Sequence, residues 1–209
     1  MEDYVTRHNR RVTTEGSEPS TRERMAGGAA QLLAQYGLQG TSFTEVLALT
    51  GAPRGSIYHH FPNGKAELVE AALDLVGRRT AAALEVTRGA SAVVVTERFL
   101  ALWRQLLERS ATTAGCAVLA VAVAADSPEL LDHAAEVFRS WQRHLAGLLV
   151  GGGIGRKDAS RFATVLIASS EGAVVLSRAE RSSKPFEVVA GHLVEEARRL
   201  LEASGRPRR

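Results

Sequence analysis

The densest run of hydrogen-bonding side chains is GAPRGSIYHHFP, residues 51–62, which places Arg54, Ser56, Tyr58, His59 and His60 in close succession. Aromatic residues are only 5% of the chain, so their clustering here with polar groups marks the segment as specialised. Arg54 carries the fork of donors that matches a phosphate or the two acceptors of a guanine. Ser56, Tyr58 and His59 can each donate a hydrogen bond, and Gly55 offers bare backbone for close approach. Together these groups suit the reading of a polar, anionic surface. They suit a metal poorly, because adjacent histidines point in different directions on a helix.

No other segment has better-placed chemistry. Cys116, within AGCAVLAVAVAA, is read as a small buried hydrophobe in preference to a redox sensor. GGGIG, residues 151–155, has no strand before it, which a dinucleotide fingerprint requires, and is read as a turn. Nothing in the spacing supplies an activated nucleophile, paired carboxylates or a metal motif. The expectation is therefore a protein that is not an enzyme and needs no metal or cofactor. A protein-interaction module without DNA binding, or a small enzyme using Cys116, are the alternatives.

The elements that must hold the 51–62 run are helical. Met25, Ala29, Leu32, Leu33 and Tyr36 repeat at helical spacing from Thr21 onward, and Gly37 stands where a helix commonly ends. Thr41 or Ser42 is placed to cap, with Glu45 at capping-box spacing from Ser42, opening a very short helix that must stop at Thr50 before Gly51. Pro53 suits the first turn of a third helix, which continues to Phe61 and is interrupted by Pro62. With Ile57 set inward and about 100° per residue, Phe61 also points inward while Gly55 and His59 face the other way, flanked by Tyr58 and Ser56. The helix starts near Ser42, Pro53 and Lys65 offer free backbone amides to an anion. Two short helices joined by a glycine turn are a helix-turn-helix, whose second helix enters the major groove of DNA.

Downstream the pattern lengthens. Lys65 opens a helix through Val76, and others cover Val93–Leu107, Cys116–Ala125, Pro128–Leu148, Asp158–Arg178 and Phe186–Leu201, with no period-2 strand. Ser127 and Pro128 form a clear helix start, with Glu129 at its positive end.

The stretch TSFTEVLALTGAPRGSIYHHFPNGKAELVEAAL resembles the DNA-binding region of the TetR family of bacterial transcriptional regulators. The family's usual pattern is a short helix, a glycine turn, a helix reading Gly-Ser/Thr-hydrophobic-Tyr-x-His-Phe, and a downstream Lys-x-x-Leu; the likeness covers about residues 21 to 76. It implies Thr44, Arg54, Ser56, Tyr58, His59 and Lys65 as DNA contacts, with Phe61 and Leu68 packing the module. Pro53 stands where Ser or Thr is common, and Gly64 lengthens the usual Phe-x-x-Lys spacing. That insertion, with GCAVLAVAVAADSPEL, resembles a subgroup typified by regulators of drug-efflux and flavonoid-responsive genes.

The resemblance also implies a ligand-receiving core and a homodimer in the larger half. Ala168, Ser169, Gly172 and Ala173 are small enough for close helix approach, and the stripe Val189, Leu193, Ala197, Leu200 and Leu201 needs a partner. Phe99, Trp103, Phe138, Trp141 and Phe162 are candidates to line an apolar cavity, with Glu171, His144 or Ser170 orienting a ligand; ordinary core packing explains the same aromatics. Glu171, a carboxylate within IASSEGAVVL, serves either the ligand or the dimer interface.

The expectation is thus an all-α protein: a flexible basic leader at 1–20, a three-helix helix-turn-helix DNA-binding domain at 21–66, a helical ligand-binding and dimerisation domain at 67–203 and a basic tail at 204–209. A net charge of +3 permits an anionic partner without demanding one. RHNRR near the start is read as a solvated tail or a DNA-contacting arm. One cysteine and no leader pattern favour the cytoplasm, and the Ala114–Ala125 run is too short to span a bilayer, so no membrane partner is expected. The expected partners are a double-stranded operator, an unknown small-molecule effector and a second copy of the chain.

Overall fold

The structure, a computed structural model, describes residues 19–205. The leader and tail fall outside the described residues except at Pro19, Ser20, Ser204 and Gly205, and of these Ser20 caps the first helix and Ser204 ends the last.

The described residues form nine helices and no strand: α1 (Thr21–Tyr36), α2 (Phe43–Thr50), α3 (Ser56–His60), α4 (Lys65–Glu85), α5 (Ala92–Arg109), α6 (Ala117–Ala124), α7 (Pro128–Gly151), α8 (Arg156–Glu180) and α9 (Lys184–Ser204). Local chemistry accounts for the ends. Ser20 and Glu23 form a reciprocal capping box at α1. Gly51 takes the left-handed conformation, φ 65°, that lets its amide close α2 on Leu47 O. Ser127 caps α7 with Pro128 behind it.

The third helix is shorter than its sequence pattern suggests. Pro53 and Arg54 precede it and Gly55 is its cap residue, because the Ser56 amide and hydroxyl both donate to Pro53 O, at 3.0 and 2.6 Å, in a tight turn. Arg54 therefore projects from a turn and not from a helix, and no helix N-terminus exists at Pro53. Cys116 likewise caps α6, its sulfur accepting the Leu119 amide at 3.4 Å.

The first three helices and the start of α4 share a core of Met25, Leu33, Val46, Ile57, Phe61 and Leu68. Gly28 makes the α1–α2 crossing possible: a Cβ there would stand 2.6 Å from Thr50 Cγ2. Phe61 is fully buried beneath the Arg22 guanidinium, 4.5 Å from the ring centre, and Arg22 also bonds His60 O and Glu67 Oε1.

The domain boundary expected at 66/67 falls in the first turn of α4, which runs unbroken from the small module into the larger one, packing against α1 and then α7. α6 packs between α1 and α7, and α8 packs between α7 and α9. Although α8 is long and apolar enough by composition to cross a membrane, half of its most apolar stretch is buried within this helical core.

Candidate functional site

The exposed surface of the small module gathers most of the residues singled out from sequence. Ile57 and Phe61 are 2% and 0% exposed, which anchors α3, while Tyr58 is 71% exposed on the opposite face. Arg54, Gly55 and His59 are exposed with it, and Ser56 is half-buried. Tyr58 meets Phe43 edge to face at 6.2 Å, so the start of α2, with exposed Thr44, lies beside α3. Three elements thus present one polar face.

Lys65 departs from this pattern. Its ammonium donates to Leu38 O at 2.7 Å, satisfying a carbonyl in the α1–α2 connection. The Gly64 insertion, φ 86°, turns the start of α4 so that Lys65 joins parts of the module together. That ammonium is thus engaged within the module, where it positions the start of α4.

In the larger half, a cavity of about 680 Å³ opens between α1, α4, α5, the segment before α6, and α7. Phe99, Trp103 and Trp141 line it together with Cys116, as the aromatic pattern suggested. Phe138 does not line it; it is half-buried and braces Trp141 edge to face at 5.7 Å. Phe162 lies at the base of a different groove, between α8 and α9. His144 stands 3.4 Å from Glu85 Oε2 and is not part of the cavity wall. These three departures share a cause: helical spacing shows that a residue is inward, but not which neighbouring helix it faces.

Glu171 is 6% exposed and lies against the Cys116 thiol, not in the α8–α9 groove. Burial raises its carboxyl to about 7, offset in part by the thiol. Burial also pushes the Cys116 thiol well up, and the neighbouring Glu171 carboxylate adds to this, so the sulfur stays protonated. Ser170 is fully buried, and its hydroxyl has no partner among the described residues.

The sequence pattern did not reveal that α1 forms a wall of this cavity. Gly27, Ala30, Gln31, Ala34 and Gln35 line it from the DNA-facing module. Two hydrogen bonds from the larger half close the same corner: Gly115 N donates to Ala34 O at 2.8 Å and Arg178 Nη2 to Gln35 O at 2.6 Å. They satisfy carbonyls that the end of α1 leaves unpaired. A helix end missing its own partners is the only sequence signal for such a joint.

On the far side, α8 and α9 carry an apolar face open to solvent. Val165, Val175 and Leu176 on α8 are about half exposed, and Val188 on α9 is 74% exposed. Ala168 and Gly172 lie exposed on the α8 part of this face, where no side chain obstructs a neighbour.

Comparison with known proteins agrees with this architecture. Residues 27–72 match the family described as bacterial regulatory proteins, tetR family, and residues 92–192 match the C-terminal domain of LmrA/YxaF-like transcriptional regulators. The uncharacterized HTH-type transcriptional regulator Rv0196 of Mycobacterium tuberculosis is 33% identical over 175 residues, covering 80% of this chain and 89% of that protein. The HTH-type regulator LmrA of Bacillus subtilis is 26% identical over 175 residues, covering 79% and 90%. Among solved structures, a TetR transcriptional regulator from Legionella pneumophila superposes with a TM-score of 0.75 at 21% identity, over 87% of this chain and 99% of that one. With a buried-anchored α3 beside α2 and a helical body behind them, the chain belongs to the TetR family of DNA-binding transcriptional regulators.

Proposed function

We propose that this regulator is a repressor that binds a palindromic operator as a homodimer and is released by a small apolar or aromatic molecule. Thr44, Arg54, Gly55, Ser56, Tyr58 and His59 contact the duplex, and Lys65 serves by holding the start of α4 against the α1–α2 connection. A protein that reads chromosomal DNA in a bacterium works in the cytoplasm.

The observation that carries this reading is the position of the cavity. It is walled by α1 on one side and by α4, α5 and α7 on the other, so a molecule filling it acts on both halves at once. Release requires the effector to bind the DNA-incompetent arrangement more tightly, and a wall shared by the two halves is where such a difference can arise. The exposed apolar face of α8 and α9 supports the dimer, since two-fold pairing would cover Leu176 and Val188 and set two α3 helices on one face of a duplex.

Selection of bound fragments from genomic DNA by the purified protein, followed by fluorescence anisotropy on the best duplex at two salt concentrations, tests this. A palindromic site bound with salt-dependent affinity is expected. No enrichment by a folded dimer would overturn the operator reading.

A further inference from the structure

We infer that the cavity takes a protonated amine carried on an aromatic body, with Glu171 as its counter-charge. This rests on the cavity being the effector site.

Glu171 is the least explained group in the molecule. Neither carboxylate oxygen meets a full hydrogen-bond partner among the described residues, and no described cation forms an ion pair with it; the weak donor of the Cys116 thiol is what touches it. A buried carboxylate is costly unless a cation or several donors compensate it. Cys116 lines the cavity, so the carboxylate lies one side chain beneath the cavity wall. An ammonium reaches the carboxylate when the Cys116 side chain turns aside and gives up the Leu119 amide that its sulfur accepts at 3.4 Å.

The rest of the wall narrows the chemistry of that donor. Phe99 and Trp103 pack edge to face at 6.3 Å, and Trp141 completes the aromatic surface. Indole faces attract cations, and rings beside a carboxylate are the usual surroundings of a bound ammonium. A neutral hydroxyl would satisfy one acceptor, whereas an ammonium supplies three donors and favours the ionised carboxylate that burial alone disfavours. Arg79 and Arg109 also line the cavity and Arg178 reaches its corner at Gln35, but all three are exposed, so solvent screening weakens their repulsion of a bound cation.

The chain has two tryptophans, Trp103 and Trp141, and both line this cavity, so intrinsic emission reports on it directly. The test titrates the full-length protein with biphenyl-4-ylmethylamine and with its neutral isostere biphenyl-4-ylmethanol, following tryptophan emission. The amine is expected to bind about tenfold or more tighter than the alcohol. In Glu171→Gln that preference falls to within about twofold while the alcohol binds as before, and Glu171→Leu, measured alongside, loses the preference as well. Equal or tighter binding of the alcohol to the wild-type protein, or a preference that survives both substitutions, overturns the inference while leaving the cavity as an effector site. If neither molecule perturbs the emission of folded protein, the effector cavity itself is refuted, and the amine with it.

Discussion

Arg178 on α8 and Gln35 at the end of α1 are joined by a 2.6 Å hydrogen bond from guanidinium to backbone oxygen, tying the helix with the open apolar face to the module that carries α3. Gln35 also lines the cavity. One contact therefore connects the proposed dimer face, the proposed effector site and the DNA-facing module.

Arg178→Ala should separate these functions. Arg178 is exposed, so stability changes little and operator affinity without effector stays within about twofold. The drop in operator affinity caused by a saturating effector should shrink by about fivefold or more, since couplings of this kind run at about 1–3 kcal/mol. Anisotropy titrations with and without effector measure both quantities, and an undiminished drop would remove Arg178 from the coupling.

Tyr58→Ala and Arg54→Ala should each weaken operator binding by about 1–3 kcal/mol, roughly five- to 150-fold. Both side chains are exposed, so the melting temperature should hardly move. Unchanged affinity in both variants would show that α3 is not the reading element.

Lys65→Ala distinguishes a positioning lysine from a phosphate contact. Loss of the bond to Leu38 O should cost about 1–2 kcal/mol of stability, because the donor is charged and half-buried. The dependence of operator affinity on salt should keep its slope. A shallower slope with unaltered melting would instead make Lys65 a direct contact.

Gly28→Ala should destabilise the small module by about 1–3 kcal/mol through overpacking against Thr50 Cγ2. Thr50 cannot simply rotate away, because its hydroxyl donates to Val46 O at 2.7 Å. The double variant with Thr50→Ser, which lacks the offending methyl, should recover most of the loss in thermal denaturation.

Glu171 sets a pH dependence of stability. Its carboxyl is raised from 4.5 to about 7 in the folded chain, so between these values the folded state holds a proton that the unfolded state has lost. Its contribution is fully favourable below about pH 4.5 and is lost as pH rises through about 7, a change on the order of 3 kcal/mol. Glu171→Gln should be the more stable protein above neutrality, with a flatter profile from pH 5 to 8, as followed by urea denaturation at several pH values. Parallel profiles for the two proteins would mean that the carboxylate has a partner.

The exposed face of α3 was largely legible in the sequence because it depends on local rules. Gly51 had to end α2, and the inward spacing of Ile57 and Phe61 forced Tyr58 and His59 outward whatever surrounded them. Pro53 misled because the Ser56 side chain and amide both bind its carbonyl, delaying the helix. The bond from Lys65 to Leu38 O left no trace in the sequence, because a long side chain can fold back on a carbonyl far away in the chain. In the larger half, Phe99, Trp103 and Phe162 share one inward signature, and only the packing of α8 on α9 separates Phe162 from the others. The role of α1 as a cavity wall carried no signature, since Gln31, Ala34 and Gln35 look like the solvent side of a helix.

The unbroken α4 makes the molecule a lever. Its 21 residues span about 31 Å at about 1.5 Å per residue. A tilt of about six degrees about its α7 end carries its Lys65 end through roughly 3 Å, close to the rise of about 3.4 Å between successive bases of one strand. The same tilt moves Asp74, about 16 Å from that end, by about 1.7 Å, so its 2.9 Å contact with His133 of α7 must give before the small module shifts by one base.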